Sequence, residues 1–491
     1  MDVLRTQAKL LLRALRTQDP AAMARVAETL PHLSPPYALH DAQSVVARGY
    51  GFASWAALKQ EVERRQNAAR GDQELHDLFL ANIGNDGESG RMRRLFSERP
   101  QISRLSFWAA VAGLDEAEVG RHLAAHPERA REVGGPLNAA ALMYLVFSPL
   151  MQVKEGHPAG RRIAQALLAA GADPNSTQTP DGYPHGLSAI YGAVGRANDP
   201  VLARMLLEAG ADPNDNESLY HAAEFRDHAC LKVLLEHGID WRRTNALNRM
   251  LDWEDPEGLA LLLDYGMNPN EFHSLHQAVR RGRSARIVQM LVAAGADPWL
   301  RDRDGFTAVE IATWQSDPDV QAELPVMKQM RPVDALMQAC WRGDAERAAA
   351  IRAAHPGVEE QRNRRLFPAA AVQGRRHALA AFVAGGYQID DRGDSRETPL
   401  HQACWRGDLE MVQALVELGA PLDDDRDMYN AIPMQYAMHA SQFDLGWGSH
   451  WTPDHAGVVR YLLAVGSPPP KRRFGSDEVL AELEAALGPE S

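Results

Sequence analysis

Seven side chains able to do chemistry crowd into one short stretch: His439, Asp444, Trp447, His450, Trp451, Asp454 and His455. Histidine and aspartate can ligate a metal or move a proton, and tryptophan can hold an apolar or cationic group. The spacing is poor for a metal, because His450 and His455 do not sit at the helical intervals of zinc motifs. No phosphate-binding loop of the G-x-x-x-x-G-K type occurs, and neither does a G-x-S-x-G elbow or an H-E-x-x-H helix. No catalytic residue, metal ligand or cofactor is therefore assigned. Trp447, His450, Trp451 and His455 are expected to form a partner-contact loop. The alternative is an enzyme, or a protein that binds a small molecule or metal, with its site around this stretch and His439.

A second set of chemistry-bearing residues emerges from a repeat. Gly171-Ala172-Asp173-Pro174-Asn175 returns unchanged at Gly210 to Asn214, and in edited form at Gly238, Gly266, Gly295 and Gly419. Glycine ends a helix in the left-handed conformation and proline soon afterwards forbids its continuation. Successive copies lie roughly thirty residues apart, the period of a solenoid of helix pairs. Thr398-Pro399-Leu400-His401-Gln402-Ala403-Cys404 marks the start of a first helix, with weaker copies at Leu275 and Thr307. Gln338-Ala339-Cys340-Trp341-Arg342-Gly343-Asp344 recurs identically at Gln402 to Asp408. Together these motifs resemble the ankyrin-repeat family over residues 75–470 or so.

The resemblance implies an all-α ankyrin solenoid of about eleven or twelve helix pairs, whose usual work is binding proteins. The short intervals between Gly210 and Gly266 predict reduced β-hairpin fingers there. Residues 1–70 read as an N-terminal helical module, 75–330 as a first array, 331–470 as a second array and 471–491 as a tail with a short capping helix. The second array carries an insertion at 440–456. Met327 to Pro332 lacks a turn signal and is the expected bend. The segment Ala42 to Trp55 is similar to a small module found ahead of ankyrin arrays in bacterial proteins. Its expected role is to cover the first repeat, with partner docking as the alternative.

Aligning the first helices gives two adjacent rows on the concave side of this family's geometry. One reads Gly195, Glu224, Asp252, Arg280, Trp314, Trp341, Val372, Trp405, His439. The other reads Arg196, Phe225, Trp253, Arg281, Gln315, Arg342, Gln373, Arg406, Ala440. Tryptophan and arginine dominate binding hot spots because they bury large areas and make planar polar contacts. Phe225, Trp253, Arg280, Arg281, Trp314, Trp341, Arg342, Trp405, Arg406 and His439 are thus the expected binding residues. Trp341 and Trp405 are expected to flank a pocket lined by Arg342 and Arg406, fit for a protein or peptide of acidic character. A Trp–Arg ladder that only stitches repeats together is the competing reading.

The net charge of −13 argues against nucleic acid or an anionic membrane as partner. Cys230, Cys340 and Cys404 show no metal-ligand spacing, which suggests buried, reduced thiols and a cytoplasmic setting. The N-terminus, Met1-Asp2-Val3-Leu4-Arg5, lacks the apolar core of a signal peptide. Because each repeat touches only its neighbours, the chain is expected to unfold in more than one step. Calorimetry of the full chain checks this. A single transition with equal calorimetric and van't Hoff enthalpies would contradict it.

Overall fold

A computed structural model describes the chain except residues 36, 38, 86–87, 180–185, 394, 442–451, 471–472 and 488–491. It is built of paired helices. Two small antiparallel hairpins are the only strands among the described residues, Val133–Gly134 with Ala139–Ala140 and Thr177–Gln178 with Leu187–Ser188. Neither lies between 214 and 275, where the short repeat interval leaves no room for a finger.

The chain divides into two compact units, Glu61–Asp297 and Met1–Gln60 with Pro298–Ser491. Within the first, helix pairs run from Asp72–Ala81 with Ser89–Glu98 to Ser274–Arg280 with Ala285–Ala293. Within the second they run from Ala308–Gln315 with Pro318–Ala322 to Pro433–Ala440 with His455–Ala464.

The second helix of most pairs starts on an aspartate. Asp115, Asp199, Asp255, Asp317, Asp344, Asp408 and Asp454 each accept a hydrogen bond from a backbone N–H of the first turn. At Asp199, Asp255 and Asp317 a proline follows at the first helical position, where its missing N–H is harmless. The stop is set by backbone shape. Gly210 has φ of 98°, yet nothing lies within 4 Å of where a Cβ would stand. The left-handed turn, not crowding, requires glycine there.

The asparagine of the repeated string joins neighbours. Asn175 Nδ2 donates to Gly210 O at 2.9 Å, and its Oδ1 accepts from Asp212 N at 2.8 Å. Asn270 does the same to Gly295 O and Asp297 N, both at 2.8 Å. Asn214 Oδ1 accepts from Asp240 N at 2.7 Å. One side chain thus satisfies groups of the next helix stop that the helix itself leaves open.

The end of the Met327 to Pro332 segment is tied to its neighbours. Arg331 Nη2 lies 2.7 Å from Glu310 and 2.8 Å from Asp334, and Pro332 opens the next helix. Residues 1–60 share a unit with the C-terminal repeats. Arg16 Nη2 pairs with Glu482 at 2.7 Å, and Arg460 Nε of the last outer helix reaches the same carboxylate at 3.0 Å. Arg5 and Lys9 face Asp477 and Glu484 of the same Asp477–Leu487 helix. Glu482 is buried, and two guanidinium groups offset the cost of burying it.

Asn270→Ala is expected to destabilise the protein by about 1 kcal/mol or more, since two hydrogen bonds are lost. Urea unfolding followed by circular dichroism measures it. An unchanged midpoint would show that water replaces the side chain without loss.

Candidate partner-binding surface

In the Glu61–Asp297 unit, acidic and basic side chains along the first helices neutralise one another. Arg249 donates to Glu224 Oε1 from Nε at 2.9 Å and Nη2 at 2.6 Å, and to Asp252 Oδ2 from Nη1 at 2.8 Å. Its guanidinium also lies 5.2 Å from the ring centres of both Tyr220 and Trp253. Arg281 pairs with Asp252 at 3.1 Å, and Arg286 with Glu257 at 3.4 Å. Hydrogen bonds from His221 and Arg249 hold the half-buried Glu224 carboxyl below its ordinary range, against the opposing effect of burial. Phe225, Trp253 and Arg280 are each partly buried here.

In the other unit, the Trp/Arg rows part company. Trp314 is 0% exposed and Trp341 2% exposed, so neither indole offers a face to a partner. Trp314 packs edge-on against Phe306 at 5.0 Å, and its Nε1 donates to Asp334 Oδ1 of the next repeat at 3.2 Å. Trp341 is covered by Arg375, whose guanidinium sits 4.6 Å from the ring centre. These two residues are corrections to the expected binding set.

The arginines look backward along the stack. Arg342 Nε donates to Ser316 Oγ at 2.9 Å, Arg375 Nη2 to Trp341 O at 3.1 Å and Arg406 Nη1 to Val372 O at 3.0 Å. Each reaches the end of the preceding first helix; Arg375 and Arg406 meet carbonyls that lack intrahelical partners, and Arg342 meets the hydroxyl of the capping Ser316. His455 continues the pattern, with Nε2–H donating to Trp405 O at 3.0 Å. Burial lowers the His455 pKa, which favours the neutral ring. The pocket expected between Trp341 and Trp405 is thus closed on the Trp341 side.

The repeated heptapeptide is mostly a packing device. Cys340 and Cys404 are buried, and burial pushes the Cys340 thiol up to about 12. Gly343 has φ of 80°, and a Cβ there would stand 2.9 Å from His377 O. The aspartates cap the following helices. The copies differ in their surroundings: Trp341 is buried and Trp405 only part-buried, while Arg342 bonds Ser316 Oγ and Arg406 bonds Val372 O.

Trp405 is half-buried and sits in an aromatic cluster. It stacks on the exposed ring of His439 at 5.7 Å and 28°, and meets Tyr436 edge-on at 6.2 Å. Tyr436 meets Tyr429 at 6.4 Å, and Tyr429 is 65% exposed. Tyr436 is held from below. Its hydroxyl donates to Asp427 Oδ2 at 2.6 Å, and its ring packs edge-on against His401 at 4.8 Å. His401 Nδ1 accepts from Thr398 N at 3.1 Å and its Nε2–H donates to Ala431 O at 2.9 Å, which locks the two repeats in register.

Tyr436 and Tyr429 were missed in the two rows. Tyr436 occupies the position of Gln402, one helical turn before His439, so a third row through the inner face finds it. Tyr429 lies in a loop and carries no such signal. Asp444, Trp447, His450 and Trp451 lie outside the described residues. Among the described residues no group of three or more His, Cys, Asp or Glu side chains could hold a metal ion. No described helix is long and apolar enough to cross a membrane.

Helix pairs, aspartate caps, glycine stops and inter-repeat side-chain bonds define an α-solenoid. Models of the ankyrin repeat match residues 151–245 (described as three copies), 270–303 and 367–416 (many copies), and the chain is an ankyrin-repeat protein. Ankyrin repeats are in general protein-interaction scaffolds. No curated protein matches the chain. Among solved structures it is similar to the ankyrin repeat domain of Bcl-3, described as a unique member of the IkappaB protein family. That match has 19% identity and a TM-score of 0.25, and covers 48% of this chain and 97% of the other. It is also similar to the human ASB11 ankyrin repeat domain, with 19% identity and a TM-score of 0.21, covering 46% of this chain and 99% of that one.

Identical tryptophans in unlike surroundings should respond differently to truncation. Trp341→Ala is expected to cost about 3–5 kcal/mol of stability, the range for a buried aromatic. Trp405→Ala is expected to cost clearly less. Denaturant unfolding of the two variants measures both, and equal losses would contradict the assignment.

Proposed function

We propose that this protein is a non-catalytic scaffold that binds a protein or peptide on the inner-helix surface around Trp405, Tyr436, His439 and Tyr429. The observation that carries the reading is the chain of four touching, partly exposed rings across two successive repeats. Aromatic side chains with one buried edge are pre-ordered, so a partner gains area without ordering them. In the other unit, Tyr220, Trp253 and Arg249 are tied into an ionic network and are better suited to holding repeats together.

Acidic character in the partner loses its support. Arg342 and Arg406 suggested it, and both donate to the preceding repeat. The cytoplasmic setting expected from the cysteines stays part of the proposal, since all three are free and buried.

A random dodecapeptide display library panned on the full-length protein tests the reading. Binders are expected whose affinity falls by about 2 kcal/mol or more with Trp405→Ala, as at a hot spot, while helicity is kept. Binders indifferent to Trp405→Ala, Tyr436→Ala and Tyr429→Ala would overturn it.

A further inference from the structure

Glu397 sits at the edge of this surface, immediately before the Thr398 cap. It is 6% exposed, a high degree of burial for a carboxylate. Gln402 Nε2 donates to its Oε1 at 2.8 Å. Its Oε2 is buried and has no hydrogen-bond partner. A buried carboxylate oxygen without a donor is costly, and such a group calls for an explanation. Gln402 stands on the inner face of the Pro399–Arg406 helix, one turn before Trp405, and its counterpart in the next repeat is Tyr436. The orphan oxygen therefore belongs to a carboxylate anchored beside the aromatic cluster. Its charge also acts on the Tyr436 phenol, which burial and the Asp427 carboxylate together hold well above the ordinary tyrosine range.

The surroundings are anionic. Asp424 is neutralised by Arg392 at 2.5 Å and Arg426 at 2.8 Å. Asp427 and Glu397 form no ion pair among the described residues, and Asp423 and Asp425 are exposed next to them. Ring faces carry negative potential and attract cations, most strongly on tryptophan. A ligand that presents an ammonium or guanidinium group meets both features at once. An acidic ligand would meet uncompensated carboxylates.

We propose that the segment seated on Trp405, Tyr436 and Tyr429 is basic, and that one of its lysine or arginine side chains lies against these rings, where the buried Glu397 charge and the exposed Asp423 and Asp425 favour a cation. The protein's charge of −13 favours the same partner at longer range, by steering its approach. This inference rests on the binding role proposed above and adds the charge of the occupant.

The same dodecapeptide library provides the test. Peptides whose binding depends on Trp405 are expected to share a lysine or arginine. Replacing that residue with norleucine is expected to weaken binding tenfold or more, measured by fluorescence anisotropy with the full-length protein. Glu397→Gln is expected to weaken the parent peptide by a similar factor and the norleucine peptide hardly at all. That non-additivity marks coupling between the two charges. Should Glu397→Gln lose helicity, the norleucine comparison on the unaltered protein decides by itself. Trp405-dependent peptides that lack a basic residue, or tolerate norleucine, would overturn this inference and leave the binding surface standing. A library that yields no peptide dependent on the aromatic cluster would overturn both.

Discussion

Most of the described helices are short, and every helix end leaves backbone groups without a partner in its own helix. In a long helix that deficit is minor. Here it recurs at each turn of each repeat, and water can satisfy only the outer ends. The neighbouring repeat must supply the rest. Asn175 and Asn270 bond both a carbonyl and an amide of the next glycine stop. Arg342, Arg375, Arg406 and His455 reach back to the ends of the preceding first helices. These side-chain bonds join the apolar faces between helices in holding the stack.

That constraint also sorts the polar and aromatic residues by role. A guanidinium fixed on a backbone carbonyl is a poor ligand for a partner's carboxylate, since binding would cost it an existing bond. An indole beneath such a guanidinium is sealed, as Trp341 is beneath Arg375. Surfaces for recognition remain only where the next repeat lacks a covering side chain. The repeat that follows Trp405 offers Tyr436 and His439 instead, and their rings extend the aromatic surface sideways rather than closing it.

Charge follows the same logic. Arg249 binds the carboxylates of Glu224 and Asp252 from two successive repeats, so a run of like charge in the sequence becomes a balanced network in space. Around Asp424 the balance is incomplete. Two arginines converge on one aspartate, while Asp427 takes a tyrosine donor and Glu397 a single amide donor. An anionic rim beside exposed rings is the result.

The helix stops, the aspartate caps, the repeat period and the family were all legible in the residues. These features depend on contacts within four or five positions, so a linear string carries them completely. The string Gly-Ala-Asp-Pro-Asn even contains the inter-repeat bond, because its asparagine stands at a fixed distance from its own turn. What the linear order left open is what stands opposite each side chain. Trp341 and Trp405 stand in identical heptapeptides and differ in the repeats on either side. The aim of Arg406, the place of Tyr436 and Tyr429, and the pairing of Arg16 with Glu482 were decided in the same way. Burial and hydrogen bonding at those positions come from residues thirty or several hundred places away, and only the folded stack brings them together.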